Sequence, residues 1–249
     1  MNDNNLFHLG FNPAHFSAKY AVLPGDPART DMIAAQFDNA QIIANNREYK
    51  VWIAEYKSEK VFVCSTGIGG PSAAIAVEEL FMAGVRTFVR VGTCGAMQPH
   101  LKGGDLIIVS AAVRQEGTTL HYAPIEYPAA ADFSVTNMLD KAAKNLGRTA
   151  YVGVAQSKDS FYGQHDPERM PVADKLLCKW NAFKKLGVLA SEMECAAVFT
   201  VSASLGAKAG AVLHVVWNQE TEKEPNTEVA GAVKTATDAI KMMIDEGNT

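Results

Sequence analysis

The chain has little to offer a nucleic acid. Its 249 residues carry 23 lysines and arginines against 27 aspartates and glutamates, a net charge of −4, whereas a phosphate backbone rewards a basic surface. It also lacks a long apolar run. The longest charge-free stretch, residues 61–77, is interrupted by glycines and a proline, so no membrane helix is expected there. The four cysteines, Cys64, Cys94, Cys178 and Cys195, form no C-x-x-C pair. Met1-Asn-Asp-Asn-Asn5 has no secretory leader character, so reduced thiols and a cytoplasmic location are expected. No Pro/Ser-rich linker, internal repeat or low-complexity tract divides the chain. One domain over residues 1–249 is the expectation.

What is present suits an α/β fold. The 48% hydrophobic content is enough for a sizeable single core. Strands are expected at residues 19–23, 51–56, 60–65, 87–91, 105–113, 151–156 and 207–216, with the second and third forming a hairpin around Lys57-Ser58-Glu59. Helices are expected at residues 28–37, 73–82, 132–146, 175–186, 195–205 and 229–246. Such alternation argues for a largely central sheet. Ligands in these folds sit at the carboxyl ends of strands.

Three segments fall at such ends. Arg90-Val-Gly-Thr-Cys-Gly95 closes a β-rich run. An arginine at the end of a buried strand is costly unless it holds an anion. Thr93 adds a hydroxyl, and Gly92 and Gly95 let a ligand approach the backbone. A seat for phosphate or a sugar phosphate is one reading; a tight turn is the other. Val22-Leu-Pro-Gly-Asp-Pro-Ala-Arg29 runs from a strand into a Pro/Gly turn and a helix start, where unpaired N–H groups favour anions. An ordinary turn with a solvated arginine is the alternative. Ser191-Glu-Met-Glu194 precedes the helix at 195. It fits the S-x-x-E capping box, which the pattern alone favours, or supplies a carboxylate for sugar hydroxyls.

These segments, in this order and spacing, resemble the nucleoside phosphorylase family, which includes uridine phosphorylases and hexameric purine nucleoside phosphorylases. Further matching pieces are Phe7-His-Leu-Gly10, Arg47-Glu-Tyr49, Ser65-Thr-Gly-Ile-Gly-Gly-Pro-Ser72, Gln98-Pro-His100 and Phe161-Tyr-Gly-Gln164. The resemblance implies a mixed sheet partly closed into a distorted barrel, with helices on both faces. It also implies phosphorolysis of a nucleoside, with inorganic phosphate as co-substrate and no cofactor required. That reaction needs a held phosphate, a grip on the ribose and stabilisation of the departing base; positioning and electrostatics carry it.

By the same resemblance, phosphate falls to Gly25, Arg29, Arg47, Arg90 and Thr93. The nucleoside falls to His8, Cys94, Gly95, Phe161, Gln164, Arg169, Glu192, Met193 and Glu194. His8 is expected at the ribose 5′-hydroxyl, Glu194 at the 2′- and 3′-hydroxyls, Met193 against the sugar and Phe161 stacked on the base. Gln164 and Arg169 are expected on the base's polar edge, so Arg90, Glu194, Gln164 and Arg169 carry catalysis. The family's counterparts of Arg47 and His8 come from a neighbouring subunit. A homo-oligomer of at least two copies, and a hexamer built as a trimer of dimers, is therefore implied. Glu48, Ile68 and Ser72 match positions that hold a monovalent cation, such as potassium, between subunits in some relatives.

The uridine branch is the expected one. Asn218 stands where the purine branch carries an acid, and an amide is no general acid at neutral pH. Three features depart from the uridine pattern. Arg169 lies five residues after Gln164 instead of two, Cys94 is more typical of purine enzymes, and Gln219 replaces an arginine. The purine branch and a nucleoside-binding protein without turnover are the alternatives.

Overall fold

The computed structural model describes residues 4–221 and 224–247; residues 1–3 of the segment read for a leader lie outside them. In chain order the elements are β1 Tyr20–Pro24, α1 Arg29–Ala34, β2 Asp38–Asn46, β3 Tyr49–Tyr56, β4 Glu59–Cys64, α2 Gly70–Met82, β5 Thr87–Ala96 and β6 Leu106–Gln115. They continue with β7 Ala129–Ala130, α3 Phe133–Asn145, β8 Ala150–Lys158, α4 Phe161–His165, α5 Ala173–Lys185, β9 Ala190–Glu192, α6 Cys195–Ser204, β10 Lys208–Asn218 and α7 Ala230–Gly247.

Strand β5 organises the sheet. On one edge it pairs in parallel with β10 along its length. On the other it pairs in parallel with β1 from Thr87 to Val91, then antiparallel with β9 at Gly95 and Ala96. Residues 92–94 lie where the second edge forks. One branch closes a five-stranded mixed barrel through β10, β6, β8 and β9 back to β5. The other continues outward through β1, β4, β3 and β2. Because β9 opposes β5 and β8 runs with β9, the carboxyl ends of β8 and β9 face those of β1 and β4 across the fork.

Side chains alternate across a strand, and β5 shows the consequence. Val89 and Val91 pack with Val22, Leu139 and Ile240 under α3 and α7. Phe88 packs with Leu23, Phe62 and Phe199 under α2 and α6. Period two puts Arg90 on the Phe88 face, directed at the fork. Truncating Phe88 to alanine would cost about 3–5 kcal/mol.

The hairpin forms as expected, with Lys57 and Ser58 both at positive φ in its turn. Strand β2 was not expected: its side chains are mostly exposed and two register shifts break its alternation. Strand β5 runs to Ala96, not Val91; its glycines read as a turn, but β10 supplies backbone partners throughout. Helix α1 ends at Ala34 instead of residue 37, because the chain turns there into β2. Among the described residues no helix is long and apolar enough to cross a membrane.

Candidate active site

The fork opens a cavity of about 690 Å³ lined from every facing strand end. Gly25 and Arg29 come from the loop after β1, Gly67 and Ile68 from the loop after β4, and Thr93 and Gly95 from β5 itself. Met193 and Glu194 follow β9, and Lys158 closes β8. The two outer loops are stitched together by Thr66 N donating to Pro24 O at 2.9 Å and Gly67 N to Gly25 O at 3.0 Å. Gly92 leaves room at the fork for the Leu213 and Arg90 side chains. A Cβ there would lie 2.7 Å from Leu213 Cδ2 and 2.9 Å from Arg90 Nη2.

Arg90 is only 3% exposed. Its Nε donates to Glu192 Oε2 at 3.2 Å and its Nη2 to Glu194 Oε2. Its Nη1 is buried and has no hydrogen-bond partner. Burial opposes the Arg90 charge, but Glu194 and Glu192 outweigh it and hold the guanidinium above its ordinary pKa. Arg29 lies on the same cavity, its pKa lowered by burial and by the charge of Arg90, although Asp26 raises it. Two guanidinium groups converging on one space favour an anion there.

Glu194 Oε1 accepts from Gly69 N at 2.6 Å, at the amino end of α2, where a carboxylate is favoured. Burial nevertheless pushes its carboxyl pKa up, against the pull of Arg90. The capping box expected of Ser191 and Glu194 does not form. Ser191 belongs to β9, and Glu192 instead accepts from Cys195 N at 3.0 Å and from Glu194 N at 2.8 Å. Glu192 also accepts from the Ser157 hydroxyl. The pattern misled because a strand residue's carboxylate reaches the first helical N–H groups from outside the helix.

The far end of the cavity is aromatic and cationic. Phe161, His165 and Trp217 form a wall, with ring centroids 4.2 Å apart for the first pair and 5.6 Å for the second. Lys158 is 5% exposed, and its Nζ donates to Ser191 Oγ at 2.8 Å. Burial pulls the Lys158 ammonium below the usual lysine pKa, partly offset by Glu192 and Glu194. Burial and the Lys158 charge likewise lower the His165 pKa. Lys158, His165 and Trp217 also line a side cavity of about 370 Å³ with Gln115, Gln164, Trp180 and Gln219.

A family profile described as the Phosphorylase superfamily matches residues 19–246. The chain belongs to the phosphorylase superfamily. It is 43% identical over 249 residues to a uridine phosphorylase of Salmonella typhimurium, covering 98% of each chain. It is 41% identical over 243 residues to a uridine phosphorylase of Thermococcus kodakarensis, covering 96% of this chain and 87% of that one. A guanosine phosphorylase of Halorubrum lacusprofundi is 42% identical over 198 residues, covering 80% and 78%.

Within this superfamily chain, the structure gathers Gly25, Arg29, Arg90, Thr93, Cys94, Gly95, Phe161, Glu192, Met193 and Glu194 on one cavity. Gln164 lies on the side cavity. Arg169 is not brought to either. It is 57% exposed and pairs with Asp166 at 2.7 Å, because the turn at Pro167–Arg169 points it outward over the Tyr162 ring. Arg47 is exposed at φ 55° in the turn between β2 and β3, while its neighbour Glu48 lines the cavity. His8 is held by Glu79, Nδ1 to Oε1 at 2.8 Å, outside the cavity of its own chain. Asn46 Nδ2 donates to His8 O at 2.7 Å, so His8 and Arg47 share one surface.

Glu48 packs against Gly67, and Ser72 Oγ donates to Ile68 O at 3.2 Å. These three residues are thus close together. Cys94 is a thiol, its pKa raised by burial and Glu192. Asn218 is withdrawn from both cavities, its amide donating to Gln98 O and Leu101 O at 2.9 Å each. Lys158 and His165 were missed in the sequence. Lys158, like Arg90, is a cation at the end of a buried strand, but the sequence pattern ends that strand at Gln156 whereas β8 runs to Lys158.

Proposed function

We propose that this chain is a uridine phosphorylase, converting uridine and phosphate reversibly to uracil and ribose 1-phosphate. The observation that carries the reading is the unpartnered Nη1 of Arg90, buried on a cavity it shares with Arg29 and Thr93. A phosphate oxygen there would satisfy an otherwise orphaned donor. Arg47 would complete the anion's charge balance from a second copy of the chain, and His8 would reach that copy's ribose.

In the forward direction a phosphate oxygen bonds to the anomeric carbon as the glycosidic C–N bond breaks. The bonding pair leaves with the base and spreads over its ring carbonyls. Glu194, held by Gly69 N–H and Arg90, accepts from ribose hydroxyls and offsets the positive charge that builds on the sugar. Met193 packs on the sugar, with Cys94 and Gly95 beside it. Phe161 covers the base and Gln164 reads its edge. Lys158, and not Arg169, is the cation available to the departing uracil. A buried ammonium acts there at short range and low dielectric. His165, neutral because its pKa is lowered, remains a hydrogen-bond donor. Glu48, Ile68 and Ser72 would hold a potassium ion between copies.

We read the assembly as a homo-oligomer, at least a dimer and in full a trimer of dimers. We read the chain as one domain in a reducing cytoplasm, which its free cysteines suit. Mixing Arg47→Ala and Arg90→Lys subunits under verified exchange should restore activity in part; no recovery would count against shared sites. The guanosine phosphorylase at 42% identity keeps a purine substrate as the second reading. Base release from uridine, inosine and guanosine, with and without phosphate, decides between them. Phosphate-dependent uridine cleavage should dominate; faster guanosine or inosine cleavage would overturn the assignment.

A further inference from the structure

Three glutamine amides are linked beside the side cavity. Gln156, on β8, is 1% exposed. Its Nε2 donates to Gln115 Oε1 on β6 and to Gln164 Oε1 on α4, the latter at 3.3 Å. Its own Oε1 is buried without a partner. The reverse arrangement would turn the Nε2 groups of Gln115 and Gln164 toward Gln156 Oε1. It would leave Gln156 Nε2, with two hydrogens, as the buried orphan. An orphaned N–H is rarer in proteins than an under-used carbonyl, and an unsatisfied buried donor is costly. The network therefore has a favoured direction. That direction is imposed on Gln164, whose carbonyl is drawn to Gln156 and whose Nε2 is left on the opposite side of the amide.

The direction matters to a pyrimidine. Around N3 and C4, uracil presents an N–H donor and a carbonyl acceptor. Cytosine presents a ring-nitrogen acceptor and an amino donor. A side-chain amide can meet either pair, but only in opposite senses. An amide free to turn would take both bases, whereas one held in a single sense would leave the wrong base with donor facing donor. We propose that Gln156 is a positioning residue for specificity. By holding the Gln164 carbonyl it fixes the amide in the sense that uracil needs and cytosine cannot use. This rests on the uridine reading above.

The test compares wild type, Gln156→Met, Gln164→Ala and the double variant, with uridine and cytidine at saturating phosphate. Methionine conserves volume, gives no hydrogen bond and removes the buried orphan oxygen. Gln156→Met should raise the KM for uridine, leave the KM for phosphate in place, and lift the cytidine-to-uridine ratio of kcat/KM about tenfold, the scale of one mismatched hydrogen bond. In the Gln164→Ala background the same substitution should leave that ratio unchanged. Gln156→Glu, assayed at pH 8, supplies a shape-conserving second variant. A carboxylate accepts only, so it should draw Gln164 Nε2 inward and shift the ratio in the same direction. An unchanged ratio in folded Gln156→Met or Gln156→Glu overturns the proposal. So does a ratio change that persists without Gln164. No phosphate-dependent uridine cleavage by wild type would instead overturn the uridine reading itself, and the proposal with it.

Discussion

The two ends of the cavity hold their cations by opposite means. Arg90 is locked by two buried carboxylates, which keep it charged. Lys158 has a neutral hydroxyl as its hydrogen-bond partner, and burial works against its charge. Both sit at the fork, on strands that run in opposite directions. A fixed charge suits an anion that must be held through the whole reaction. A weakly held charge suits one that appears only as a bond breaks, because such an interaction strengthens in the transition state. The two ends therefore differ in what a substitution costs, and variants can separate them.

The largest effect is expected at the locked end. Arg90→Ala would strand Glu192 and Glu194 as buried unpaired charges, a loss of about 3–5 kcal/mol in stability. Arg90→Lys keeps a charge and is the cleaner probe of chemistry. It removes the fork that holds two carboxylates and still presents Nη1. Turnover at limiting phosphate should fall between tens- and about a thousandfold, on the order of 2–4 kcal/mol. Near wild-type turnover at limiting phosphate would remove Arg90 from the anion site.

The other end should respond in the opposite way on stability. Lys158→Met deletes a buried charge without leaving an orphaned one, so the urea midpoint should hold or rise. The rate should fall roughly a hundred- to a thousandfold. The pH dependence has a definite sign. The folded pKa of Lys158 lies below that of a free lysine, so the unfolded chain binds more protons between the two values. Stability from this group therefore rises with pH across that window. Activity falls over the same window, as the ammonium is lost. Both trends should vanish in Lys158→Met. A variant that loses stability while keeping its rate would reverse the comparison.

Between the ends, Glu194→Gln should cost about ten- to a hundredfold in rate with a smaller change in melting temperature. The amide oxygen can still accept from Gly69 N, whereas the charge facing Arg90 is gone. Matched losses of stability and activity would make Glu194 a structural group only.

The locked end was legible in the sequence; at the other end Phe161 was, and Lys158 and His165 were not. Arg90, Thr93 and Arg29 lie in motifs of glycine and proline beside strands, Glu194 follows from the family resemblance, and the structure collects all four on one cavity. Strand β2 escaped because exposed side chains carry no burial pattern. Glu192 was legible as a site residue, but its capping of α6 was not, because the S-x-x-E pattern assigns that task to Ser191 and a residue still in a strand performs it. Lys158 escaped because a lysine in a polar-looking run reads as solvated until the strands meet around it. The family pattern instead points to an arginine after Gln164 as the cation near the base. Contacts among β8, β9 and the fork span distant parts of the sequence, and only closure of the barrel brings them together.

The smallest predicted effect follows from that last substitution of one cation for another. Arg169 was expected at the base edge, but it stands in solvent with Asp166, both more than half exposed. An exposed ion pair is worth little, roughly 0–1 kcal/mol, and its ring contact with Tyr162 adds a weak cation–π term. Arg169→Ala should therefore leave the kcat for uridine within about twofold and the melting temperature nearly unchanged. The measurement is informative because it is paired with Lys158→Met. If the two ends are as different as their partners suggest, only the lysine variant loses its rate. A large loss in kcat for Arg169→Ala would mean that the turn at Pro167–Arg169 swings inward on binding. The departing base would then be met by two cations, and the weakly held end would no longer depend on Lys158 alone.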